Sequence, residues 1–362
     1  MSGKVNGKVA VLKTSPETVV QDYGKLMEMA EFRRFLPKDK QTLLKINISW
    51  HVYFPACSTT PWQLEGVTKK LRESGYKKII GAHNSTVVVD ARVGEKNNHL
   101  SSALKKYKVD TIHLTDPGVE YVDYTPKKGY LVLDKVYPNG VKIPKFLIGK
   151  NIVHLPTMKT HVFTEVTGAM KNAFGGLLHY ERHWTHSVIN ETLVDLLEIQ
   201  KEIHTGLFAV MDGTIAGSGP GPRAMIPHVK NYILASADQV AIDAISAKMQ
   251  GFDPMKLKFI KLAHDRGLGC GDVDQIDIVG EDISKVNFGF KRGETFASRG
   301  QKAIYHGPLK PFEKLLLRTW LVPWSYVASR MYHDAYWLRF IGKKRIDSIM
   351  KTKWGELFQK YG

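Results

Sequence analysis

The sequence predicts an α/β protein of mainly parallel sheets covered by helices, arranged as two lobes with a cleft and followed by a basic helical C-terminal extension. Short apolar runs of strand length alternate with segments of helical spacing. A chain of 362 residues exceeds what one ordinary core requires. The residues from 291 onward differ from the rest in charge and aromatic content.

Taken in order, residues 8–12, 43–48, 78–82, 111–114, 152–155, 207–211 and 232–235 read as short buried strands. Helical spacing covers 62–72, 100–107, 192–203 and 240–249. This alternation implies parallel strands whose functional groups gather at their C-terminal ends. The turn-rich stretch 116–144 suits an excursion between sheet regions, so the body is assigned to 1–290 with a lobe boundary within 116–150, and the extension to 291–362.

Hydrophobic residues make up 43% and charged residues 24%, a globular balance that excludes a disordered chain. The opening MSGKVNGKVAVLK has no continuous apolar stretch, which argues against a secretory signal. The most apolar run, 315–328, is interrupted by Arg318 and Pro323 and is too short to span a bilayer. Cys57 and Cys270 stand far apart without metal-ligand spacing, which argues against a disulfide scaffold or a self-contained iron–sulfur cluster. A cytoplasmic, reducing location is expected.

Of the net charge of +17, residues 291–362 contribute 15 Lys/Arg against 5 Asp/Glu. The same stretch holds Trp320, Trp324, Trp337 and Trp354, four of the seven tryptophans. Rings that insert beside basic groups that meet phosphates suit peripheral contact with an anionic membrane. The other reading is a helical hairpin packed on the body with its lysines solvated. Nucleic acid is disfavoured, because no signature beyond charge accompanies it.

Four segments carry candidate chemistry. Thr60-Pro61 opens a helix as N-cap and first residue, leaving amides that could hold a carboxylate or phosphate. His83 follows a strand and would be delivered to a cleft. From His154 to His186 fall five of the fourteen histidines, His154, His161, His179, His183 and His186, together with Lys159 and Lys171. Neutral imidazoles bind transition metals or exchange protons, and lysines hold anions or lose a proton when buried. Asp212, in a Gly-rich loop, suits metal binding or the orienting of a histidine, and Arg223 suits a carboxylate. Prolines in that loop remove amides a phosphate nest needs, which excludes a Walker or dinucleotide fingerprint.

These residues resemble domain-of-unknown-function family 362. The matching features are Thr59-Thr60-Pro61, Leu155-Pro156-Thr157-Met158-Lys159-Thr160-His161, Gly168-Ala169-Met170-Lys171-Asn172 and Asp212-Gly213 with Gly219-Pro220. Ala235-Ser236-Ala237-Asp238-Gln239-Val240-Ala241-Ile242-Asp243, Gly251-Phe252-Asp253-Pro254 and Gly267-Leu268-Gly269 complete the order. The resemblance covers roughly residues 8–285 and implies a fold, not an activity. Many members carry a ferredoxin module; this chain lacks its cysteines, so electron transfer would need a redox partner protein.

His83, His161 and Lys171 are also similar in placement to residues of nickel-pincer lactate racemases. That resemblance implies Lys171 as ligand of a nickel-pincer-type nucleotide or other divalent transition metal, with His83 and His161 exchanging a proton or hydride. Ser58 stands where that family has Arg, and its later metal-binding His is out of register, leaving His183 or His186 as ligands. Two functional classes follow. One is an enzyme of isomerase or oxidoreductase type acting on a small anionic metabolite held by Lys159 and Arg223, with Thr60, Lys171 and Asp212 at the cofactor. The other is a non-catalytic scaffold attached to membrane or nucleic acid through its basic tail.

Overall fold

The computed structural model describes residues 7–86, 88–178, 180–319 and 327–362; His179, Trp320 and Trp324 lie outside the described residues. The strands are β1 (Lys8–Lys13), β2 (Thr42–Ile46), β3 (Ile79–His83), β4 (Asp110–His113), β5 (Tyr121–Asp123), β6 (Lys142–Pro144), β7 (Asn151–Leu155), β8 (Thr157–His161), β9 (Glu165–Val166), β10 (Gly206–Ser218), β11 (Ile226–Ser236) and β12 (Asp277–Gly280). The helices of the body are α1 (Val19–Met29), α2 (Phe32–Phe35), α3 (Pro61–Glu73), α4 (Ala91–Asn97), α5 (Leu100–Lys106), α6 (Leu133–Val136), α7 (Ala169–Leu177), α8 (Ile189–Ile203), α9 (Gln239–Gln250) and α10 (Lys258–Asp265). Those of the C-terminal segment are α11 (Phe296–Tyr305), α12 (Glu313–Leu317), α13 (Lys343–Met350) and α14 (Lys353–Gln359), with a π-helical stretch at Met331–Gly342.

The main sheet runs β12-β1-β11-β10-β7-β2-β3-β4, with β8 pairing β10 and β9 pairing β8. Its strands are mainly parallel; β11 runs antiparallel to β1 and β10, and β9 to β8. Every predicted strand and helix is present.

Two lobes were expected; one sheet is found. The pairing of β1 with β11 and β12 ties the N-terminal strand into the C-terminal half, so strands from residue 8 to 280 share one ladder. The turn-rich stretch is an excursion from that sheet, in which β5 and β6 pair only with each other.

Alternation along β2 sends Leu43 to one core cluster and Leu44 to the other, and all five of its residues are buried. Both faces are therefore covered, as a parallel sheet requires. One layer carries Met170 and Phe174 of α7, Leu193 and Leu197 of α8 and Ile242 of α9. The opposite layer carries Tyr23 and Leu26 of α1, Trp62 and Leu64 of α3 and Leu104 of α5. Each such side chain stabilises the fold by about 1.5–3 kcal/mol.

The C-terminal segment contributes to that second layer. Trp337 packs its ring centroid 5.4 Å from Phe54 and 6.1 Å from Trp50. Trp354 lies 5.2 Å from Trp62 and donates its Nε1–H to Asn231 Oδ1 at 2.8 Å. At 4% and 2% exposure these two tryptophans are core residues, which fits the packed-hairpin reading at this end of the tail.

Candidate functional site

A lysine in the middle of an apolar strand starts the site. In Thr42-Leu43-Leu44-Lys45-Ile46 the side chain of Lys45 is only 4% exposed, and its Nζ donates to the Ile46 carbonyl at 2.8 Å. Lys45 pairs in register with His154 of β7. Asn172 of α7 clamps both strands, its Nδ2 donating to Lys45 O at 2.9 Å and to His154 Nδ1 at 3.3 Å. His154 donates from Nε2 to Gln200 Oε1 at 2.6 Å, and burial holds its pKa down to about 3, so the ring is neutral.

Asp243 of α9 positions the start of α7. Its carboxylate accepts from the amides of Ala169 at 2.6 Å and Met170 at 3.0 Å, filling the place of a helix-terminal anion. A Cβ on Gly168 would fall 1.9 Å from Asp243 Oδ1, so only glycine permits this approach. The helix then carries Lys171, whose ammonium lies 5.1 Å from the centroid of Phe174, and breaks at Gly175 and Gly176 against Lys45 and Asn84.

Lys159, 2% exposed on β8, donates to the carbonyl of Cys57 and reaches Ser49 Oγ at 3.4 Å. Arg182 lies 5.9 Å from the same Phe174 ring and donates to Ser85 O at 3.3 Å. Burial lowers Lys45 to about 7, with repulsion from Arg182 adding to it. Burial lowers Lys159 to about 8, and lowers Lys171 to about 7 with help from Lys159 and Arg182. None of the three lysines has an ion-pair partner among the described residues. The site is thus an electropositive cluster whose ammonium groups are brought by burial to the range where they lose a proton near neutral pH.

Two histidines complete it. His161 Nδ1 accepts from the backbone amides of Phe163 at 3.1 Å and Thr164 at 3.3 Å. Amides only donate, so the neutral ring carries its proton on Nε2 and offers a donor. Burial, then the charges of Lys171, His186 and Lys159, push its pKa well below the ordinary value. His186 is the opposite tautomer: Nδ1–H donates to His183 O at 2.9 Å, leaving Nε2 as acceptor, and burial with Lys171 lowers it to about 3.

The C-terminal segment covers this cluster. Tyr305 of α11 stacks on His186 at 5.6 Å and donates its hydroxyl to His183 O at 3.1 Å. His183 Nε2–H donates to Leu317 O at 3.0 Å, and Arg318 lies 4.8 Å from the Trp184 ring. Beside Lys45 the packing leaves a cavity of about 10 Å³, room for one water at most. A groove of about 480 Å³ lies elsewhere, between α1 and α3, and includes none of these residues.

The structure brings Lys159, His161, Lys171 and His186 together, sets His83 within electrostatic reach of Lys45, and gives the other expected site residues partners of their own. His83 lies at the end of β3 with Glu95 and His113. Thr60 is the N-cap of a capping box with Gln63, as its sequence predicts, but the anion at that helix start is the chain's own Asp212. Asp212 accepts from Tyr23 Oη, Thr60 Oγ1, Trp62 Nε1 and both the amide and hydroxyl of Thr214, at 2.5–2.9 Å. Arg223 faces the C-terminal segment, donating to Ser329 Oγ at 3.3 Å. His183 and His186 each commit one ring nitrogen to a backbone carbonyl.

Sequence reasoning missed Lys45, Arg182 and Asp243. The signal for Lys45 was a lysine at the fourth position of a five-residue buried strand, and that for Asp243 was its place at the end of the family-like 235–243 motif; Arg182 had none beyond residue type.

Comparison with known proteins places these groups in a matched segment. The family described as "Domain of unknown function (DUF362)" matches residues 42–248. A thylakoid-associated protein of Synechocystis is 25% identical over 217 residues, 59% of this chain and 63% of the relative, so the chain spans less than two thirds of that protein. A Thermotoga maritima crystal structure is 15% identical with a TM-score of 0.40, covering 70% of this chain and 60% of the other.

Proposed function

The chain belongs to the DUF362 family, and we propose that it binds a small anionic metabolite at the Lys45, Lys159, Lys171 and Arg182 cluster and exchanges a proton with it. The observation that carries this reading is three lysines, Lys45 on β2, Lys159 on β8 and Lys171 on α7, without a carboxylate partner among the described residues. Uncompensated buried charge destabilises a fold, so its presence is best accounted for by a ligand anion. A carboxylate or phosphate accepts from Lys45, Lys159 and Arg182, while His161 Nε2–H donates to it. Lys171 and Lys45, both held at about 7, are able to take up and return a proton near neutrality, and Lys171 is the one that stands beside His161 and His186. Proton exchange beside a carboxylate, of the isomerase or racemase type, is the reaction this set serves. Entry of the anion requires Tyr305 and its neighbours to move aside.

The test is thermal unfolding of the full chain with phosphate, malonate or chloride at matched ionic strength. Phosphate or malonate raises Tm in the parent and not in Lys171→Met. Equal shifts in parent and variant would remove Lys171 from the site.

A second reading concerns the C-terminal segment. Eight of the thirteen exposed large apolar side chains among the described residues lie within 296–340, led by Phe296 at 80%, Met331 at 64% and Phe340 at 59%. Arg330, Arg339, Lys343 and Lys344 are exposed beside them. An apolar, basic face fits the surface of an anionic bilayer, and one relative is named as thylakoid-associated. Among the described residues no helix is long and apolar enough to cross a membrane. Co-sedimentation with phosphatidylserine vesicles at low salt, lost at high salt and absent with neutral vesicles, is the expected outcome.

A further inference from the structure

Outside the lysine cluster, β3 and β4 end side by side with a histidine each. His83 and His113 are in register across the parallel pair, and their rings meet edge to face at 4.3 Å and 81°. The helix that covers them, α4, starts from an Asp90 N-cap and brings Glu95 down so that its Oε2 lies 2.8 Å from His83 Nε2. Gly94 permits this approach, because a Cβ there would fall 2.4 Å from Ile48 Cγ2. One ligand atom from each of the three residues lies within 4.8 Å of the others. Among the described residues this is the one group of three or more His, Cys, Asp or Glu that gathers so closely.

We propose that His83, Glu95 and His113 form a binding site for a divalent transition-metal ion. Two imidazoles and a carboxylate select zinc, cobalt, nickel or copper over calcium or magnesium, which take all-oxygen shells. Three protein ligands leave a further coordination position for water or an anion, as in open metal sites. The ring Nδ1 atoms of His83 and of His113 are both buried without a hydrogen-bond partner. A buried ring nitrogen left unpaired costs about 1–3 kcal/mol, and an ion held by that nitrogen would remove the cost.

The surroundings suit the ion. Burial lowers the pKa of both histidines, so both are neutral and offer a lone pair at pH 7. Burial raises Glu95, but the hydrogen bond and charge of His83, the Ser101 hydrogen bond and the charge of His113 together hold it below the usual carboxylate range. Ser101 Oγ donates to Glu95 Oε1 at 3.0 Å and fixes the carboxylate from outside, the arrangement that tunes metal affinity. The charged groups facing the site from the packed elements are Lys45, Arg92 and Asp116. His83 itself is 1% exposed, so an ion would be shielded on that side.

The test uses the full chain stripped with chelator and titrated with zinc by calorimetry and with cobalt by visible absorption. One equivalent should bind, with the intense absorption of a low-symmetry cobalt site. His113→Asn and Glu95→Gln, both close in size to the parent residues, should each weaken binding at least about tenfold, whereas the exposed His306→Ala should not. Circular dichroism on each variant separates loss of metal from loss of fold. Binding of equal strength in the parent and in a folded His83→Asn/His113→Asn double variant, or loss only on replacing His183 or His186, would overturn the proposal.

Discussion

Asp212, Lys45 and Lys159 are charged groups buried in strands of the main sheet, with the half-buried Lys171 on α7, and their surroundings treat them oppositely. Asp212 receives five donors from Tyr23, Thr60, Trp62 and Thr214, and it ties α1, α3 and β10 together. The lysines receive backbone carbonyls, a hydroxyl and an aromatic face, and no carboxylate among the described residues. A buried charge whose partners are complete reads as architecture; one whose partners are missing reads as a place for something that is not the chain.

The largest effect that could break this distinction is at Asp212. Asp212→Ala leaves Tyr23, Thr60 and Trp62 as unmatched buried donors and should cost about 3–5 kcal/mol in denaturant unfolding. A loss under about 1 kcal/mol would mean that the network does not hold the layers together.

The next effect is pH-dependent. The lysines stand at about 7 to 8 in the folded chain and near 10.4 when unfolded. Between these values the unfolded chain binds more protons, so their contribution to stability grows as pH rises from 7 to 10 and falls away as pH drops through the folded values. In Lys45→Met/Lys171→Met the rise should be smaller than in the parent. Parallel stability profiles would show that these ammonium groups are solvated.

The smallest effect on stability is expected on the exposed arm. Phe340→Ser and Met331→Ser should change stability by no more than about 0.5 kcal/mol, yet reduce sedimentation with anionic vesicles. Trp354 lies in the same extension but inside the core, so its replacement would confuse unfolding with lost docking.

The sheet was legible in the sequence because each strand is a short apolar run bounded by turn residues, and α3 because Thr60 and Pro61 spell its N-terminus locally. Lys159, His161 and Lys171 were legible because they sit in one continuous segment. The grouping of His83 with Glu95 and His113 was not, since it depends on which strand lies beside β3 and on the angle of α4. Asp212 misled for the same reason: its partners Tyr23 and Trp62 are 189 and 150 residues away. The folding back of Tyr305 and Leu317 over His183 and His186 is likewise a tertiary fact, and it makes the extension part of the site's cover.

The most direct measurement is the pair of values, unfolding free energy and phosphate affinity, for the parent and for Lys45→Met/Lys171→Met at pH 7.5. If the lysines are kept for an anion, the variant is as stable as the parent within about 1 kcal/mol or more stable, and phosphate binding is lost. A variant that is several kcal/mol less stable, or that binds phosphate as the parent does, would contradict the account.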